Sequence, residues 1–165
     1  MHSLRYRVLK LSQKYKARKK IVDAFILNES GEGGDGMKLA KWRRYKRVVE
    51  TLGLDGQSDE ESSYDEIGGT QMEIFKVYRL GWRANSVTEA LHAIDEEGFT
   101  MERKKVKGKG GAKPAPRKHV PEECSFQRRA VEELPRALYR KEWLAEQGPL
   151  TLSELKIDDS AFDWD

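Results

Sequence analysis

Apolar residues recur at helical spacing over the first quarter of the chain. Leu4, Val8, Leu11 and Tyr15 stand four, three and four apart, and Ile21, Val22, Phe25 and Ile26 extend the stripe. This pattern predicts a helix from Leu4 to Leu27. Residues 28–36, NESGEGGDG, carry the composition of a loop. Leu39, Trp42, Tyr45, Val48, Val49 and Leu52 then share one broad face, which predicts a second helix from Met37 to Leu52 with Gly53 as its C-cap. Two amphipathic helices joined by a short loop read as a helical hairpin.

The period changes at residue 72. Met72 to Leu80 is rich in β-formers (Ile74, Phe75, Val77, Tyr78), and both alternating faces are mixed, so a strand covered on both sides is expected. Gly81 breaks it. Ser86 and Glu89 form a capping-box pattern ahead of Val87, Leu91 and Ile94, and Gly98 suits the left-handed residue that closes a helix. One strand and one helix leave ladder groups unpaired, so this unit needs a partner segment. Farther on, Leu134-Pro135 predicts a break. Leu138, Tyr139, Trp143 and Leu144 predict a short helix ended by Gly148-Pro149.

The fold expected is α+β and mostly helical: a basic helical hairpin plus a strand–turn–helix unit, with disordered acidic and basic linkers. Six stretches follow from this. Residues 1–54 hold the basic helices, 55–70 an acidic Ser-rich disordered linker and 71–99 the strand–turn–helix unit. Residues 100–124 form a basic flexible linker, 125–147 a short helical segment and 148–165 an acidic-aromatic tail.

Charge sharpens this division. The net charge of +3 hides 14 Lys and Arg against 5 Asp and Glu in residues 1–50, then 6 Asp and Glu and no Lys or Arg in 51–70. Residues 101–147 are again basic, 13 against 7, and residues 148–165 acidic, 1 against 5. A merely solvated helix face mixes Glu with Lys, and Glu is scarce in the first 50 residues. A polyanion-binding face is therefore one expectation. Its candidate nucleic-acid contacts are Arg5, Lys10, Lys14, Arg18, Lys19, Lys41, Arg43, Arg44 and Arg47. The spacing of Trp42 and Tyr45 favours their burial over stacking on bases. The competing expectation is a protein–protein module that docks through Trp143 or through Phe162 and Trp164 of the tail, with no nucleic-acid role. A reading frame that has lost its function is the third reading. In the acidic tract, Ser58, Ser62 and Ser63 each have an acid three residues on, the setting of acid-directed phosphorylation. The tract itself is either a plain linker or a lid that competes for the basic helices.

Enzyme chemistry is not expected. His2, His92 and His119 are scattered, and His92 reads as a surface or boundary residue. Cys124 is the only cysteine, so neither a zinc site nor an internal disulfide is predicted. GEGGDG lacks the Lys-Ser/Thr of a phosphate loop. No cofactor and no metal are expected. With no run of about 18 apolar residues and no apolar signal region, a nuclear or cytoplasmic location away from membranes is the expectation.

The order of pieces carries one resemblance. Leu52-Gly53-Leu54-Asp55-Gly56 is followed by the Ser/Asp/Glu tract from Ser58 to Glu66, then Trp82-Arg83, Ile94-Asp95, Leu134-Pro135, Leu138-Tyr139 and Trp143-Leu144. Over residues 37–147 this resembles an uncharacterised protein family abundant in mushroom-forming fungi. Gln57 and a single serine before Asp59 depart from that family's usual tract. The resemblance implies a fungal origin and a place near mobile elements. It supplies no activity and no functional residues.

Overall fold

The computed structural model describes residues 2–58, 60–106, 115–125 and 129–162; for 2–10, 102–106 and 121–123 the backbone alone is described. The fold is α+β and mostly helical. Helix α1 (His2–Glu29) and helix α2 (Gly36–Leu52) form the expected hairpin. Asp35 caps α2 by accepting from the Met37 and Lys38 amides, and Gly53 closes it. Lys19 pairs with Glu50 at 3.1 Å and Lys46 with Asp23 at 2.7 Å, so the two helices run antiparallel. Phe25 stacks on Trp42 at 4.1 Å between their inner faces.

Strand β1 (Glu60–Ile67) and strand β2 (Thr70–Leu80) pair antiparallel, and strand β3 (Arg117–Ser125) lies parallel on the other side of β2. Ile67 faces Thr70 in the register, leaving a two-residue turn. Its residues, Gly68 and Gly69, take φ of +61° and +79°. Two positive φ angles suit the hairpin's right-handed twist, and glycine adopts them without strain. A parallel neighbour needs a crossover, and helix α3 (Asn85–Val106) provides it between β2 and β3.

Four expectations are corrected here. The acidic tract, expected as disordered linker, is an ordered loop and β1. Composition treats like charges as repelling, but the acids of β1 face cations from elsewhere: Glu60 meets Lys14 and Arg117, Asp65 meets Lys118, and Glu61 accepts from the Tyr78 hydroxyl. The basic linker contributes β3 and the end of α3, while residues 107–114 lie outside the described residues. Ser86 lies within the first turn of α3 instead of capping it; the Ala84 carbonyl accepts from Thr88. Gly98 does not end α3. It sits mid-helix against α1, where an added Cβ would stand 2.2 Å from Ile21 Cδ1. Here glycine permits close helix approach.

The C-terminal part is folded onto the crossover. Arg83 bridges Tyr139 in antiparallel fashion, the Arg140 amide donates to the Trp82 carbonyl, and the Ala84 amide donates to the Leu138 carbonyl. Pro135 ends the extended run and precedes a 3-10 turn (Arg136–Leu138), helix α4 (Lys141–Ala145) and helix α5 (Pro149–Leu155). The tail beyond α5 bridges back, with the Asp158 amide donating to the Leu134 carbonyl and the Arg136 amide to the Asp158 carbonyl. One apolar core joins these parts through Val22, Trp42, Val49, Leu52, Leu80, Trp82, Leu91, Ile94, Leu138 and Leu155. Among the described residues, no helix is long and apolar enough to cross a membrane.

The Gly98 contact can be tested by equilibrium urea denaturation. Gly98→Ala raises helix propensity, yet overpacking against Ile21 should cost about 1–3 kcal/mol. Ile21→Val removes the Cδ1 atom, so the same substitution should cost less in that background. Equal costs in both backgrounds would show that the α1–α3 approach does not depend on this glycine.

Candidate nucleic-acid interface

The basic residues of α1 divide between two faces. Leu11, Lys14, Arg18 and Val22 recur at helical spacing on the face turned to α3 and the sheet, and all four are buried. Lys16 and Lys20 stand two positions off that pattern and are exposed. Lys14 and Arg18, expected as phosphate contacts, are 1% exposed and belong to an internal network. Their reassignment is a correction: the apolar stripe placed them at its edge, and their stems and charged heads continue inward.

The network is built around Asp95 on α3, itself 5% exposed. Arg18 Nε and Nη2 donate to its two oxygens at 2.9 and 2.6 Å, and Arg18 Nη1 donates to Gln57 Oε1 at 2.6 Å. His119 Nε2 on β3 lies 3.0 Å from Asp95 Oδ2. Lys14 donates to the Ser58 carbonyl at 2.6 Å and pairs with Glu60 at 2.8 Å. Arg83 is fully buried and donates to the Gly56 carbonyl, the Ser58 hydroxyl and the Thr88 hydroxyl. All three of those acceptors are uncharged.

The electrostatics follow from that packing. Burial opposes ionisation of Asp95, but Arg18, His119 and Arg117 outweigh it and hold the carboxyl far below the usual carboxylate range. Burial lowers Lys14 to about 8, outweighing the attraction of Glu60. Burial, reinforced by Arg18, lowers Arg83 to about 9. His119 is lowered by burial against the opposing pull of Asp95. Burial pushes Glu60 up, and Lys14 with Arg117 more than reverses this.

The other expected contacts divide as follows. The side chains of Arg5 and Lys10 lie outside the described residues. Lys19 is engaged by Glu50. Lys41 is exposed, its ammonium 5.8 Å from the Trp42 ring centroid and 5.4 Å from that of Tyr45. Arg43 and Arg47 are exposed, and Arg44 is half-buried. Lys16, Lys20 and Arg43 therefore flank the ion-paired seam of the hairpin, and no carboxylate among the described residues pairs with them. Lys16 and Lys20 belong to the basic run of residues 16–20, in which spacing alone cannot tell the outer side of α1 from the inner.

The docking and modification candidates are also divided. Trp143 is half-buried and stacks on Tyr139 at 6.3 Å. Phe162 packs against the chain's own core, and Trp164 lies outside the described residues. Ser58 is buried, with its hydroxyl accepting from Arg83, so a kinase cannot reach it in the folded chain. Ser62 is exposed and Ser63 half-buried on β1. Among the described residues, no group of three or more His, Cys, Asp or Glu is placed to hold a metal ion.

The network carries two expected outcomes. Asp95→Asn leaves buried cations uncompensated and should cost about 3–5 kcal/mol in urea denaturation, whereas Arg43→Ala at the exposed surface should stay within about 0.5 kcal/mol. The second outcome concerns pH. Unfolded His119 takes up its proton near the ordinary 6.5, and folded His119 does so only at lower pH. Its contribution is thus fully present above about 6.5 and is lost as pH falls through the folded value. The urea midpoint should drop between about pH 7 and pH 5, and His119→Gln, whose amide can still donate to Asp95, should flatten that drop. An unchanged slope would remove His119 as its source. Compared with known family models, curated proteins and solved structures, the chain matches none.

Proposed function

We propose that this chain binds nucleic acid without sequence readout, through the outer face of the α1–α2 hairpin. The observation that carries the reading is the set of exposed cations, Lys16, Lys20 and Arg43, left without carboxylate partners beside a seam where neighbouring charges are paired. Lys41 and Arg44 extend the basic surface around α2. Helical spacing holds such side chains about 5–6 Å apart on a rigid support, which suits contact with successive backbone phosphates. Trp42 is buried and Tyr45 is half-buried beside it, which leaves no fully exposed aromatic platform for unstacked bases among the described side chains of this surface. Duplex is therefore the expected partner over single strand.

The test is fluorescence anisotropy of a labelled duplex and a single strand of equal length, at low and near-physiological salt. Lys16→Glu/Lys20→Glu/Arg43→Glu should weaken duplex binding by about tenfold or more and lower the salt slope by about 2–3. Its circular-dichroism melt should stay close to that of the wild type, since all three side chains are exposed. Equal affinity of variant and wild type would return this face to a solvated surface.

A further inference from the structure

A second site lies where the C-terminal segment meets the crossover. Arg83 pairs with Tyr139, so Trp82 and Arg140 stand directly opposite each other in the antiparallel bridge. Facing residues leave such a ladder on the same side. Arg83 and Tyr139 are buried in the protein, and Trp82 and Arg140 line a cavity of about 380 Å³. That volume is at the small end of the range for small-molecule sites. Trp82 is 2% exposed, and among the described residues its indole N–H has no acceptor; the Arg140 Nε–H, also buried, has none either. Buried donors left unpaired are costly, and in native proteins nearly all are satisfied. The half-buried Trp143 forms part of the wall, and the exposed Glu132, Glu146 and Glu154 line the same cavity.

We propose that this cavity binds a small zwitterion of the basic amino-acid class. Its carboxylate accepts from Trp82 Nε1–H and Arg140 Nε–H at the floor. Its aliphatic stem lies along Trp143, and its distal ammonium or guanidinium is held by the three glutamates. The pairing of floor and mouth selects this class. A carboxylate, with two acceptor oxygens, can satisfy both N–H donors, one of them on a guanidinium. A dianion or polyanion is disfavoured by three carboxylates set against Arg129 and Arg140. A polyamine has no acceptor for the donors.

The experiment follows the tryptophan indole N–H signals of the full chain in a ¹⁵N–¹H correlation spectrum, with Trp82→Phe assigning the Trp82 signal. L-Arginine should shift that signal saturably. Agmatine, which lacks the carboxylate, should bind at least about tenfold more weakly, the factor expected when a buried donor pair loses its acceptor. Arg140→Met should weaken L-arginine binding by a similar factor. Because Arg140 also contributes to local packing, Glu132→Gln/Glu154→Gln gives an independent arm at exposed positions: it should weaken L-arginine and leave acetate unaffected. No saturable shift with L-arginine, equal binding of agmatine, or an Arg140→Met protein that binds like the wild type would each overturn the proposal.

Discussion

The bidentate pair between Arg18 and Asp95 is the interaction on which the other elements depend. Two charges are taken out of water, and that loss is offset only if geometry is good and the remaining donors and lone pairs are filled. Here Gln57 takes a third guanidinium bond, and His119 shares Asp95 Oδ2 with Arg18. Each partner comes from a different part of the chain, so α1, the loop after α2, α3 and β3 have one mutual arrangement that satisfies all of them. A slide of α1 by one residue would remove both bonds to Asp95 and press Ile21 off Gly98. A buried polar network of this kind contributes more to uniqueness of arrangement than to gross stability. The stability comes from the apolar set around Leu52, Leu91 and Ile94.

The interior nevertheless carries more positive than negative charge. Lys14, Arg18 and Arg83 are buried with Asp95 and Glu60 as the acids. Arg83 is the unbalanced member, held by a carbonyl and two hydroxyls. Neutral acceptors satisfy its hydrogen bonds without an ion-pair partner, and burial, with Arg18 nearby, lowers its pKa against the pull of Asp95. Ser58 thereby acquires a structural role, linking Arg83 through its hydroxyl and Lys14 through its carbonyl.

Periodicity made α1 and α2 legible to within two residues, because each has an apolar face at helical spacing, and a run of β-formers closed by Gly81 did the same for β2. It failed where the determining partner is remote in sequence. Gly98 reads as a terminator until Ile21, 77 positions earlier, is placed against it. The acids of residues 60–66 read as a repelling run until Lys14, Arg117 and Lys118 are brought beside them. Lys14 and Arg18 read like Lys16 and Lys20, since a long cationic side chain has the same composition whether its end meets water or a buried carboxylate. Asp95 had no local signal at all, standing beside Glu96 and Glu97 at the end of an amphipathic pattern. His119 lay in a stretch whose composition suggested a linker.

Segregation of charge along the chain becomes neutralisation in space, and this decides what the acidic tract can do. A lid over the basic hairpin would require those acids to be free for its outer face. Instead Glu60 is turned to Lys14 on the inner face of α1, and Asp65 to Lys118 on the neighbouring strand. The acidic block thus neutralises the buried and sheet-borne cations. At the hairpin seam Asp23 and Glu50 each already hold a lysine, and no carboxylate among the described residues pairs with Lys16, Lys20 or Arg43. Lys16, Lys20 and Arg43, unpaired with any carboxylate among the described residues, leave a local positive field at the hairpin surface. Glu60 is committed to the interior and Asp65 to the sheet, so neither serves the hairpin's outer face.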